Sequence, residues 1–237
     1  MRIMIALEHV VDTPMLGGAP YPVALDITMT LPIGRYAVVS PDPIARKPAI
    51  DLLAGLRPPT SGHVVRGGSC SWPIGRAGFV RGKLSGRQIV ALISRLYHLD
   101  YRFCIYLVES MLTLPEYLDE FVEHWPATAR QEFGYILPLL PTFDIYVVDG
   151  TFPYRKDRFT LLWRALFEQR IDGRMLLLST VRKSEVDEFC DTALILNQGL
   201  IEIESQLDEV LRKFPLRPDI NDTGRGQPEP LVDDQFA

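Results

Sequence analysis

Histidine and cysteine are scarce in this chain of 237 residues, and neither is arranged for chemistry. His9, His63, His98 and His124 are scattered, so no Ser/His/Asp or Cys/His arrangement has supporting context. Cys70, Cys104 and Cys190 are odd in number and far apart, with no C-x-x-C and no histidine at metal-ligand spacing. They read as small buried hydrophobes in a reduced interior, and no metal site is expected. Basic excess is missing as well: the formal net charge is −5, which argues against nucleic acid as the main partner, because phosphate contacts need a basic face. No segment reaches the ~18 uninterrupted apolar residues of a membrane span. The run Met1-Arg2-Ile3-Met4-Ile5-Ala6-Leu7-Glu8 is too short for a signal peptide, so a cytoplasmic protein without direct membrane insertion is expected. Internal repeats are not apparent.

What is present is a globular composition, 47% apolar, on a length that suits one α/β domain with a subdomain. Ile3–Val10 and Val23–Leu31 read as strands flanking a turn-rich hairpin tip, Pro14 to Pro20. The strand Arg35-Tyr36-Ala37-Val38-Val39 then runs into a loop, a helix over Ala49–Leu56 ending at Gly55, and the strand His63-Val64-Val65. Those pieces read as one β–loop–α–β unit. From Ser85 to about Leu140 the pattern is helical: Ile89, Leu92, Ile93 and Leu96 share a face, and Tyr106, Leu107, Glu109 and Met111 begin a further helix. Phe143 to Asp149 is a nearly continuous apolar run ended by a carboxylate, as expected of a buried parallel strand. A helix around Leu161–Phe167, the strand Met175–Ser179, a short acidic helix through Glu188, a hairpin turning at Asn197-Gln198-Gly199 and a helix Leu207–Phe214 complete the pattern. Residues 1–215 are expected to form one domain with the helical insert at about 85–140, and 216–237 a flexible tail too polar to offset its ordering entropy.

The loop after the Arg35 strand is the most informative segment. Its position suits a phosphate-binding G-x-x-x-x-G-K-[ST], but the residues are Ser40-Pro41-Asp42-Pro43-Ile44-Ala45-Arg46-Lys47-Pro48. Such a loop turns consecutive backbone N–H groups toward the anion, with a lysine on the terminal phosphates and a hydroxyl on Mg²⁺. Pro41 and Pro43 have no N–H, Ala45 replaces a glycine, and Asp42 adds a negative charge. The frame of a nucleotide-binding domain is present without its chemistry.

Ser71-Trp72-Pro73-Ile74-Gly75, Leu84-Ser85-Gly86-Arg87 with the apolar helix after it, Phe143 to Asp149, and Asp191 to Gly199 occur in that order. Together they resemble the nucleotide-binding subunits of ABC transporters that export capsular or O-antigen polysaccharide, over about residues 3–213. The resemblance implies an α/β, P-loop-type core with an N-terminal antiparallel β subdomain and a helical insert. It identifies Leu84-Ser85-Gly86 with the family's L-T-G-R-E-N rather than its signature. It also implies an integral membrane permease as partner, whose coupling element would sit between the segment Arg76–Gly82 and the insert's early helices.

Laid onto the family's motifs, the chain is altered throughout. Ser40, Pro43 and Ala45 are changed loop positions, Arg46 takes the lysine position and Lys47 that of the Mg²⁺-binding hydroxyl. Arg81, or Val80 beside it, falls at the γ-phosphate-sensing glutamine, and Thr128, in Pro126-Ala127-Thr128-Ala129, at the signature. Asp149 keeps the Mg²⁺-associated carboxylate, Gly150 stands at the general base, Thr180 at the switch histidine, and Pro22 with Tyr21 at the adenine-stacking aromatic. Arg46, Lys47 and Asp149 are the vestigial cofactor-binding candidates. Either the two cations still hold phosphate, or they pair with Asp42 or Asp149; either Asp149 binds Mg²⁺ or it caps local N–H groups. With base, switch, clamp and cradle altered together, no catalytic residue and no ATP or Mg²⁺ cofactor are expected, although both serve the parent family. The expected role is a structural or regulatory subunit, peripheral on the cytoplasmic face, as a homodimer or paired with another ABC subunit. An unorthodox ATPase and a stand-alone scaffold are the alternatives.

Overall fold

The computed structural model describes residues 2–76 and 82–216. Arg81 and Val80, and the expected 216–237 tail beyond its first residue, lie outside the described residues; Leu216 itself packs against the core. The chain forms β1 (Ile3–Asp12), the short pair β2 (Met15–Leu16) and β3 (Ala19–Pro20), β4 (Ala24–Pro32) and β5 (Arg35–Val39). Next come α1 (Arg46–Ala54), β6 (Ser61–Arg66), α2 (Gly86–Leu96), α3 (Tyr101–Met111), α4 (Ala127–Ile136) and β7 (Ile145–Asp149). The last elements are α5 (Arg158–Ile171), β8 (Met175–Ser179), α6 (Lys183–Phe189), β9 (Thr192–Asn197), β10 (Leu200–Glu204) and α7 (Leu207–Lys213).

A five-stranded sheet in the order β10-β9-β5-β8-β7 is parallel except for the terminal β9–β10 hairpin. A three-stranded antiparallel sheet, β4-β1-β6, packs on the other side of α1. The expected β–loop–α–β unit is therefore corrected: β6 leaves the sheet of β5 and pairs with β1. Its burial alternates strictly between half-buried and exposed, the pattern of a strand with one solvated face, whereas β5 is buried along most of its length.

That distinction explains the two apolar layers. Along β7 and β8, Ile145, Val147, Met175 and Leu177 face α1, while Tyr146, Val148, Leu176 and Leu178 face the helical side. Period-two alternation with both faces covered gives a continuous apolar run in the sequence. The helices are set by local caps. Ser85 and Gln88 form a reciprocal capping box at the start of α2, and Asp157 accepts the Thr160 N–H at 2.8 Å before α5. Asp100 caps Arg102 and Phe103, so α3 begins at Tyr101, five residues before the expected start at Tyr106. Gly55, at φ 80°, ends α1, and the Arg66 guanidinium reaches back to the Leu53 carbonyl at 2.7 Å. Trp125 lies in the core of the helical side, and Trp72 packs edge-on against Phe143.

Cys104 is buried, and burial pushes the Cys70 thiol up to about 12 and raises that of Cys190, so these last two stay protonated at neutral pH. Among the described residues no helix is long and apolar enough to cross a membrane.

Candidate functional site

In parallel α/β sheets ligands collect at the carboxyl ends of the strands. Here β5 ends in the loop Ser40–Ala45, β7 in Asp149-Gly150, and β8 in Ser179-Thr180, with the start of α1 beside them.

The loop is a closed turn. Pro43–Ala45 form a single 3₁₀ turn leading directly into α1. Pro41 and Pro43 have no N–H. Each remaining N–H from 42 to 46 already has a partner: Asp42 donates to Ser40 Oγ, Ile44 to Asp42 Oδ1, Ala45 to the Asp42 carbonyl, and Arg46 to the Pro43 carbonyl. Ser40 Oγ donates in turn to the Leu196 carbonyl at 2.8 Å, fixing the loop to β9. The N–H groups from 42 to 46 that would face an anion are thus consumed within the turn.

Asp42 also accepts the Tyr21 hydroxyl at 2.7 Å. That hydrogen bond, helped by the Ile44 N–H, holds the Asp42 carboxyl below its usual range. Burial, and then the bond to Asp42, pushes the Tyr21 hydroxyl up to about 12. Tyr21, which the resemblance puts beside the adenine-stacking position, is therefore tied to the loop.

Arg76 occupies the heart of the site. Its Nε and Nη2 donate to Asp149 Oδ2 at 2.8 and 2.6 Å, and its Nη1 donates to Asp51 Oδ1 at 2.6 Å. The three side chains are 16–20% exposed. Burial disfavours the guanidinium charge, but the bonds and charges of Asp51 and Asp149 outweigh it and raise the Arg76 pKa. The segment before it explains this placement. Residues 71–74 run along the open edge of β7: Ser71 N–H donates to the Ile145 carbonyl, Val147 N–H to Ser71 Oγ, and Ile74 N–H to the Val147 carbonyl. Pro73, which has no N–H, is tolerated at such an edge. Gly75 then turns at φ +83° and delivers Arg76 over Asp149.

Gly150 makes the reciprocal contact. It sits at φ +139°, and a Cβ there would lie 2.8 Å from the Gly75 carbonyl oxygen. The backbone at this point favours glycine and strains any side chain. Thr180 is buried and donates its hydroxyl to Glu185, whose other oxygen accepts the Phe152 N–H at 3.0 Å. It holds the turn before α6.

The sequence candidates thus separate. Arg46 lies at the site: its Nη1 donates to the Thr180 carbonyl at 3.2 Å, burial lowers its pKa, and the Asp149 charge partly offsets that effect. Lys47 is exposed, and of the two alternatives left open for it, the pairing with Asp42 or Asp149 does not occur among the described residues. Asp149 is held by Arg76, a residue that sequence reasoning placed only beside a partner groove. A largely buried carboxylate at a strand end calls for a cation, but no local pattern in the sequence named Arg76 as its source. Thr128 lies half-buried in the first turn of α4. Ser85, with its capping box, stands at the start of α2, where the resemblance placed it. Among the described residues no group of three or more His, Cys, Asp or Glu side chains could hold a metal ion.

No family model matches the chain. It is 28% identical over 217 residues to the capsule polysaccharide export ATP-binding protein CtrD of Neisseria meningitidis serogroup B, covering 91% of this chain and 100% of that one. It is 30% identical over 166 residues to the ATP-binding protein BexA of Haemophilus influenzae, covering 70% and 76%. It is 26% identical over 214 residues to the polysialic acid transport ATP-binding protein KpsT of Escherichia coli, covering 87% and 96%. Its fold matches the solved ATP-binding subunit of an ABC transporter with a TM-score of 0.68 at 18% identity, over 89% of this chain and 92% of that one. With these relatives and this architecture, the chain belongs to the family of ABC-transporter ATP-binding subunits of the polysaccharide-export type.

Proposed function

We propose that this subunit neither binds nor hydrolyses ATP, and serves instead as a structural or regulatory cassette of a polysaccharide exporter. It docks from the cytoplasm on an integral membrane permease. The observation that carries this reading is the pairing of Arg76 with Asp149 and Asp51 at the strand ends where a magnesium nucleotide would sit. The residues present do not fit that ligand. The loop N–H groups from 42 to 46 are already paired, and two prolines supply none. Asp149 is occupied by a guanidinium, and Gly150 offers no base. Arg46 and Arg76 balance Asp51 and Asp149, so the site has no unmet charge for a polyphosphate and its metal to satisfy.

In an intact ABC pair nucleotide closes the dimer, whereas here both halves of the composite site are altered. The dimer proposed is accordingly a homodimer that forms without nucleotide. Co-expression with the permease tests the reading. The complex is expected to form in nucleotide-free buffer, to sediment unchanged on adding MgATP, and to show no turnover above that of an Asp149→Asn variant. Turnover that depends on Asp149 would support the unorthodox ATPase instead, and failure to bind any permease would support the stand-alone scaffold.

A further inference from the structure

We propose that Arg76 is a built-in counter-ion: it takes the position of a bound cation between Asp149 and Asp51 and thereby clamps the 71–76 segment to the core without any ligand. The inference deepens the function proposed above and rests on it only for the statement that no nucleotide competes for Asp149.

Three pieces of chain that are distant in sequence meet at this one guanidinium. Asp149 ends β7, Asp51 lies in α1, and Arg76 ends the segment that seals the β7 edge. Both carboxylates are largely buried, and each is bonded to the same guanidinium within 2.8 Å. Two carboxylates held this close repel unless a cation lies between them. Arg46 also acts on Asp149 through its charge, but its hydrogen bond goes to the Thr180 carbonyl, so it does not bridge the two acids. An arginine is suited to the bridging role, because its planar fork reaches two carboxylates at once and stays charged when buried. The steric fit agrees: Gly75 turns through positive φ to aim Arg76 inward, and Gly150 lacks the Cβ that would strike the Gly75 carbonyl. The Arg-in geometry and the missing base are therefore two aspects of one backbone arrangement.

The proposal makes a prediction that ordinary packing does not. Removing the guanidinium leaves a two-carboxylate site open to a small divalent cation. Arg76→Met keeps most of the aliphatic stem and removes the charge. Its melting temperature should fall by roughly 10 °C at neutral pH without divalent ions, the usual effect of breaking a buried pair in a domain of this size. Millimolar MnCl₂ should then restore several degrees to Arg76→Met while leaving wild type within about 1 °C. The Mn²⁺ effect should vanish in Arg76→Met/Asp149→Asn, and that double variant without Mn²⁺ should melt above Arg76→Met alone, because the repulsion is gone. Equal melting of Arg76→Met and wild type would overturn the proposal, as would a loss that neither Mn²⁺ nor Asp149→Asn repairs. If Arg76→Met does not fold, comparing wild type with Asp149→Asn/Asp51→Asn, which keeps Arg76 but removes its partners, gives the same reading; an unchanged melting temperature there overturns the clamp. None of these measurements uses nucleotide. Failure of the non-hydrolysing reading would instead appear as ATP turnover by wild type with the clamp behaviour intact.

Discussion

Placing a glutamate at Gly150, where the resemblance puts the family's general base, is expected to damage the fold rather than produce activity. Gly150 has φ +139°, a region that L side chains rarely adopt, and residues forced into such conformations carry about 1–3 kcal/mol of strain. A Cβ there would also lie 2.8 Å from the Gly75 carbonyl oxygen, a backbone atom that cannot rotate away. Overpacking of this kind costs a further ~1–3 kcal/mol, so the total is about 2–6 kcal/mol. For a domain of this size each kcal/mol moves the melting temperature by roughly 2–4 °C, which puts the expected fall at roughly 4–24 °C. Because the Cβ causes the conflict, Gly150→Ala and Gly150→Glu should fall by similar amounts, and neither should turn over ATP. Thermal melts of the two variants beside wild type decide the matter. If Gly150→Ala melts within about 1 °C of wild type, the backbone has not been reset here and the steric argument fails. If Gly150→Glu hydrolyses ATP above a Gly150→Gln control, the site is still able to work.

Two further outcomes follow from other parts of the chain. Arg57 forks onto Asp12, whose side chain is 1% exposed, so Arg57→Met should cost about 3–5 kcal/mol in chemical denaturation, and Arg57→Met/Asp12→Leu should recover much of it; a loss below ~1 kcal/mol would contradict an unpaired buried charge. The folded pKa of Asp42 is depressed, so its contribution to stability is complete above the ordinary value of 3.8 and is lost as pH falls through the lower folded value. Tyr21→Phe removes the largest cause of that depression and should move the Asp42 titration, followed by carbon NMR, up toward 3.8; an unchanged titration would show that the tyrosine does not hold the loop.

The sequence was most legible where local chemistry decides the structure. Continuous apolar runs marked β7 and β8, because both faces of these strands are buried, and Gly55 marked the end of α1. It misled where partners are distant. The His63 strand looks the same whether it joins β5 or β1, and only three-dimensional packing sends it to the antiparallel sheet. The start of α3 was missed because the apolar stripe is clear only from Tyr106, although Asp100 supplied the cap. At the site, the altered loop was legible through its prolines. Arg76 was not, because the carboxylates it bridges lie 25 and 73 positions away and no local pattern connects them. Gly150 read as a missing base, and its positive φ against Gly75 was not foreseeable from the sequence.

The central claim is that the site draws its charges from the chain rather than from a magnesium nucleotide, and thermal melting of the purified protein against MgATP tests it most directly. A ligand at 100 times its dissociation constant stabilises a fold by about 2.7 kcal/mol, which here corresponds to a rise of roughly 5–11 °C. The account predicts a shift below about 1 °C up to millimolar MgATP. A rise of several degrees that disappears in Asp149→Asn would contradict it.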